Sequence, residues 1–215
     1  MSRIPNKLFS NFWYNKSMIK VAITGNIASG KSQVEKILIS MGYKVADTDK
    51  INHFILASDI KTINKIKDAF KDDDILEENG EISREKLGKI VFSVGWKKIK
   101  LEEILHKEIN HKLEDFYTEN NDKNIVFVSI PLLFETNQED KFDKIIFVSA
   151  DEDVRLKRLI ERNGYDLKYA KIRIASQQKE AEKLKKSDYI IYNNSDLISL
   201  QKQVISILNQ LTLWC

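Results

Sequence analysis

A chain of 215 residues, 42% hydrophobic and 31% charged, is long enough to bury a core and has the composition of an ordinary soluble domain. It holds 35 basic residues against 32 acidic ones; three of the basic ones, Arg3, Lys7 and Lys16, lie in residues 1–17, which hold no acid, so the rest balances and argues against a broad nucleic-acid surface. The single cysteine, Cys215, excludes an internal disulfide framework and a CxxC metal site and fits a reducing, cytoplasmic setting, and no apolar run approaches the ~20 residues of a membrane span.

Residues 1–17 read as an N-terminal extension, poorly ordered, with the folded domain opening at Met18. MIKVAIT (18–24) is apolar and β-branched and predicts a buried strand. GNIASGKS follows it. Beyond that, Val34, Ile37, Leu38 and Met41 recur at i, i+3, i+4 and i+7, the stripe of an amphipathic helix that Gly42 is suited to close. YKVAD (43–47) predicts a second strand. The chain therefore opens as a βαβ unit, which sets the class as α/β with a parallel sheet. Residues 51–122 carry charged helical patterns, with EKLGKIVF and LEEILHKEINHKLEDFY as helices and ENGEIS (78–83) as a turn. This stretch reads as an inserted helical subdomain within one domain over 18–215, the core being 18–50 and 123–215. IVFVSI (125–130) and KIIFVSA (144–150) predict two more buried strands. A helix over 154–162 is broken at NGYD, and Leu167–Lys185 predicts a single further helix. DYIIYNN gives a fifth strand, and Leu197, Leu200, Val204, Leu208 and Leu211 line a last helix. No repeat or low-complexity tract interrupts this order.

GNIASGKS fits G-x-x-x-x-G-K-S through Gly25, Gly30, Lys31 and Ser32. Glycines let the backbone curl so that successive N–H groups face a phosphate, and the helix beginning near Lys31 adds the positive end of its dipole. Ala28, Ser29 and Gln33 belong to the same cradle. Lys31 is placed to reach the β- and γ-phosphates, and Ser32 to ligate Mg²⁺. The chain thus reads as a binder of ATP or a related nucleoside triphosphate. A GTPase needs N-K-x-D, and Asn64-Lys65-Ile66-Lys67 lacks the acid. A larger ATPase needs a strand-end acid; Asp151 and Glu152 after KIIFVSA fit that place, but capping of the following helix accounts for them as well. Arg155, Arg158 and Arg162 lie at i, i+3 and i+7, within about 60° of one another on a helix. Such a stripe suits a lid, about 155–175, that closes over phosphates; a solvated basic face is the alternative.

Asp47 and Asp49 follow the second strand in VADTDKINH. In open α/β sheets ligands sit at the carboxyl ends of strands, and phosphoryl transfer needs a group to orient the acceptor hydroxyl. Either aspartate fits that role, and either, with Thr48, fits an N-cap. Spacing leaves the choice open.

Taken together these segments resemble the dephospho-CoA kinase family. GNIASGKS resembles its G-G-I-G-S-G-K-S, with Asn26 and Ala28 in place of glycines. VADTDKINH is similar to V-x-D-A-D-x-I-A-R. NGEISREKLGKIVF keeps Gly80, Arg84, Leu87, Val91 and Phe92. LHKEI keeps His106, with Lys107 for proline. SIPLLFE carries P-L-L-[FV]-E through Pro131, Leu132, Leu133 and Glu135. The lid arginines, Gln177 and Asn193 follow in order, with Ser195 where glycine is frequent. The resemblance covers about Met18 to Asn194. It implies a nucleotide-kinase-like fold: a five-stranded parallel sheet flanked by helices, an inserted CoA-binding helical domain and a small lid. It implies ATP-dependent phosphorylation of the ribose 3′-hydroxyl of dephospho-CoA, with Mg²⁺, by a cytoplasmic protein without nucleic-acid or membrane partners; a monomer is favoured, with the oligomeric state left open by the sequence. It makes Asp49 the group that takes the hydroxyl proton and Asp47 its support. Lys31 and Arg158 join Asp49 in catalysis, Arg158, Arg162 and Asn193 hold the nucleotide, and Arg84, His106 and Glu135 lie on the acceptor side. Another small-molecule P-loop kinase, for nucleosides or nucleotides, and a nucleotide-dependent regulator without acceptor chemistry are the competing readings.

Overall fold

The computed structural model describes residues 18–213. The expected extension over 1–17 and Cys215 lie outside the described residues. Five parallel strands form one sheet: β1 (Ile19–Gly25), β2 (Lys44–Asp47), β3 (Ile125–Ser129), β4 (Lys144–Ser149) and β5 (Tyr189–Tyr192), in the order β2-β3-β1-β4-β5. The three inner strands, β1, β3 and β4, are buried on both faces, which is why they read as continuous apolar runs rather than alternations. Val21 and Ile23 point to one layer, where α1 (Lys31–Ser40) and α9 (Leu197–Thr212) supply Val34, Leu38, Leu200 and Leu208. Ala22, Val126 and Val128 point to the other, where Leu113, Tyr117, Leu133 and Phe134 cover them.

The second strand does not lie beside the first. β3 sits between them, with Ser129 paired to Ile23 on one side and Asp47 on the other. An opening βαβ unit is legible from local pattern; the insertion of a later strand between its two members is a long-range fact that no local pattern carries.

Between β2 and β3 the chain forms α2 (Thr48–Ser58), α3 (Ile60–Ala69), α4 (Arg84–Ser93) and the 25-residue α5 (Gly95–Glu119). Asp47, Asp59 and Ser83 cap the first three through side-chain oxygens. These helices bury a cluster of their own around Ile55, Ile66, Phe70, Leu87, Val91 and Leu105. Lys107, in place of a proline, falls in the interior of α5, where its backbone N–H serves the helix ladder.

After β4 come α6 (Glu152–Asn163), α7 (Leu167–Ala175) and α8 (Glu180–Lys185). Gly164, at φ 66°, closes α6. The single helix expected over 167–185 is two. Ser176 ends α7 by donating to the Arg173 carbonyl at 2.9 Å, and the freed chain presents Gln177, whose side-chain oxygen accepts from Ile27 N at 2.8 Å. Leu159, Ala170 and Ile174 join α6 to α7 and pack against Ile27 and Ala28 of the phosphate loop. No helix among the described residues is long and apolar enough to cross a membrane.

Candidate active site

At the carboxyl ends of the strands a cleft of about 860 Å³ surrounds residues 25–33. Two glycines there are sterically required. A Cβ on Gly25 would meet the Val148 carbonyl at 2.5 Å, and one on Gly30 would lie 2.0 Å from Asn193 Nδ2, at a φ of 94° that side chains avoid. Gly30 stands at the N-cap of α1 with no side chain to cap it. Unlike α2, whose first N–H groups are taken by the Asp47 side chain, α1 starts without a side-chain cap; Gln33 N donates to the Gly30 carbonyl at 2.8 Å, and the Lys31 and Ser32 N–H groups before it are left for a ligand.

Gly25, Ala28, Ser29, Gly30, Lys31, Ser32 and Gln33 all line this cleft, together with Asp49, Arg158, Arg162 and Asn193. Asn193 is buried at its floor, donating to the Ser29 carbonyl at 2.8 Å. Arg158 donates from one end of its guanidinium to the Ala28 and Ser29 carbonyls, at 3.3 and 3.2 Å, and from the other to the Asn193 carbonyl at 3.0 Å. It braces the loop from α6. Arg162, one turn on, donates to Asn163 Oδ1 at 2.9 Å. The arginine stripe divides, however. Arg155 is 6% exposed, donates to the Ala150 carbonyl at 3.0 Å, and faces Glu180 rather than the cleft. The first turn of α6 is held against the sheet, and only its later turns reach over the phosphate loop. Arg173 of α7, which no motif singled out, lines the cleft in its place.

The aspartates divide too. Asp47 Oδ1 accepts the N–H groups of Asp49 and Lys50 at 3.0 and 3.3 Å and so caps α2. Asp49 makes no such bond; it opens onto the cleft and onto a second cavity of about 200 Å³. Partial enclosure by protein raises its pKa above the usual carboxylate value. Lys31 opposes the rise, the Asp47 carboxylate adds to it, His53 opposes it and Glu35 adds to it. His106 lines this second cavity, with Asn52 and Asn110 as further polar neighbours that sequence reasoning passed over. Asp49, Pro131 and Leu132 belong to both cavities.

Arg84 and Glu135 line neither. Arg84 begins α4 and reaches the His53 carbonyl at 3.4 Å. The Glu135 carboxylate instead meets Lys183 Nζ at 2.5 Å, and Lys183, 2% exposed, also donates to Asn26 Oδ1 at 3.2 Å. Asn26, which replaces a motif glycine, donates in turn to Glu180 at 2.9 Å. Asp151 stands at the N-cap of α6 and Glu152 in its first turn; neither lines the cleft, and Asp151 makes no side-chain cap bond, so the two acids serve the positive end of the helix dipole without the capping bond expected of them.

For Mg²⁺ the donor set is spare. Ser32 offers a hydroxyl in the cleft, and no group of three His, Cys, Asp or Glu side chains among the described residues forms a cage. That matches an ion that retains water and rides on nucleotide phosphates.

Comparison with known proteins identifies the family and the fold. The family model for dephospho-CoA kinase matches residues 19–199. A dephospho-CoA kinase of Fusobacterium nucleatum is 39% identical over 188 residues, 87% of this chain and 96% of its own. The solved dephospho-CoA kinase from Campylobacter jejuni superposes with a TM-score of 0.65 at 32% identity, over 89% of this chain and 96% of that one. A Thermus thermophilus structure reaches a TM-score of 0.78 at 29% identity, over 90% and 98%.

Proposed function

The chain belongs to the dephospho-CoA kinase family, and from that membership we propose that it transfers the γ-phosphoryl group of ATP to the ribose 3′-hydroxyl of dephospho-CoA. The observation that carries the reading is the meeting of a phosphate-loop cleft and a smaller cavity of mixed polar and apolar lining at one carboxylate, Asp49. A nucleotide in the first and an alcohol in the second would approach each other across it.

ATP lies with its phosphates in the amides of residues 28–33, under Lys31. Arg162 and Arg173 reach them from α6 and α7, while Arg158 and Asn193 keep the loop in shape. Ser32 would hold Mg²⁺, which when bound would supply neutralisation of the charge that develops on the phosphates. Asp49 orients the acceptor hydroxyl and takes its proton as the new O–P bond forms and the bond to ADP breaks. Partial enclosure raises its pKa, the direction that makes the carboxylate a better proton acceptor. His106, Asn52 and Asn110 position the acceptor, and helices α2–α5 form the wall that admits it. Glu135 acts from behind the site, through Lys183. A cytoplasmic setting fits a chain whose single cysteine forms no disulfide framework.

A coupled assay of ADP release tests the assignment. ADP that forms only when dephospho-CoA is added supports it. Equal turnover with nucleosides would transfer the chain to another acceptor, and ATP binding without acceptor-dependent turnover would remove it from the kinases.

A further inference from the structure

The lysine of the phosphate loop is not alone beneath the loop. Lys31 Nζ lies 2.9 Å from Glu35 Oε1 and in hydrogen-bond contact with Ser129 Oγ; Ser129 Oγ in turn donates to the same Glu35 oxygen at 2.6 Å. All three groups are withdrawn from solvent. Glu35 is 4% exposed and Ser129 fully buried, and the Lys31 side chain is 15% exposed. A surface i, i+4 pair contributes a few tenths of a kcal/mol. This one is different in kind, because a carboxylate on the inner side of α1 is tolerated only with its charge compensated and its oxygens bonded.

Its place in the sheet gives it meaning. P-loop nucleotide enzymes commonly carry an acid at the end of a core strand near the loop, close to the lysine and the phosphates. Here the strand paired with β1 on that side is β3, and it ends in Ser129, then Ile130 and Pro131, with no acid. The Ser129 backbone is pinned by Thr48 Oγ1, which donates to its carbonyl at 3.0 Å. The missing carboxylate arrives from the neighbouring helix and attaches to the strand through the serine hydroxyl.

We infer that Glu35, anchored by Ser129, is the positioning residue for Lys31: the carboxylate that a core strand would otherwise supply is carried on α1 and sets where the lysine ammonium stands under the phosphates. Glu35 touches no substrate; it acts through Lys31. The inference rests on the reading of GNIASGKS as the site of a nucleoside triphosphate.

The experiment exchanges the two positions. Glu35→Gln keeps the shape and still accepts from Ser129 but removes the charge; Glu35→Ala removes the group. Each should weaken ATP binding in a fluorescence titration by roughly 10–100-fold, the usual effect of removing a group that orients a binding residue. In turnover each should raise KM for ATP and leave KM for dephospho-CoA unchanged. The double variant Glu35→Ala/Ser129→Asp returns one carboxylate to the same Lys31 from the strand side. Ser129 Oγ already contacts the ammonium, so ATP affinity should return to within about threefold of the parent. Thermal unfolding of each variant checks that the fold persists. A Glu35→Gln protein that binds ATP as tightly as the parent, or a folded exchange variant no better than Glu35→Ala alone, overturns the inference. A parent protein that binds no ATP would overturn the phosphate-loop reading instead.

Discussion

At the residue scale, the two aspartates after β2 show how one short segment serves stability and chemistry separately. Asp47 holds two backbone donors at the start of α2, so Asp47→Ala should cost ~1 kcal/mol, while Asp47→Asn, which still accepts, should keep most of that. Urea unfolding distinguishes the pair, and equal losses would mean that the charge and not the cap matters. Asp49 caps nothing. Asp49→Asn should lower turnover by roughly 10²–10⁴-fold, with ATP affinity little changed. Its raised pKa means that the folded protein binds this proton more tightly than the unfolded chain does. Asp49 therefore favours the fold at pH below the ordinary carboxylate value, and that contribution is lost as pH rises through the raised one. At pH 7 the Asn variant should be no less stable than the parent, and its thermal midpoint should lose the acid-side dependence due to this group. Turnover of the parent should fall on the acid side at a pH above the ordinary carboxylate value. An Asn variant that is both active and destabilised would exchange the two aspartates' roles.

At the element scale, the short helix α8 is tied beneath the phosphate loop by a buried polar chain from Glu135 through Lys183 and Asn26 to Glu180, which also accepts from Ser149. None of this was legible in the sequence. The strands, α1 and the final helix announce themselves by apolar period, and the phosphate loop by glycine spacing. Lys183 sits among Lys179, Lys185 and Lys186 in what reads as a solvated run, and Glu135 reads as part of a substrate motif. The Arg155–Arg158–Arg162 stripe was legible only in part: Arg158 and Arg162 line the cleft, while Arg155 turns to Ala150 and Glu180. Angular position on a helix says which residues share a side, but not how much of that side leans over a neighbour. Lys183→Met should cost about 3–5 kcal/mol, because it leaves Glu135 charged, largely buried and unpartnered. Adding Glu135→Leu removes the stranded charge and should recover a large part of that loss. Denaturant unfolding of both singles and the double closes the cycle; purely additive losses would mean that the two side chains do not act as a pair.

At the scale of the whole molecule, the sequence predicted the layers and the family but not the sheet order that sets the site. Placing β3 between β1 and β2 brings Ser129 under Lys31, sets Asp47 one strand further out, and leaves Asp49 to face both cavities. The cavities share a wall at Asp49, Pro131 and Leu132 but are otherwise lined by different elements, so two ligands should be able to stabilise the protein together. A ligand at one hundred times its dissociation constant adds about 2.7 kcal/mol to the folded state. For a chain of this size 1 kcal/mol moves the midpoint by about 2–4 °C. An unreactive ATP analogue with Mg²⁺ should therefore raise the melting temperature by roughly 5–11 °C, and dephospho-CoA alone by a comparable amount at the same excess. Both together should give at least the sum, since α6 and α7 rest on the phosphate loop while the cavity proposed for the acceptor is lined from α2 and α5. A combined shift no larger than that of the ATP analogue alone would show that the two molecules compete for one cavity. In that case the acceptor would have to enter from the side of α6 and α7, and Asp49 could not lie between the two reactants.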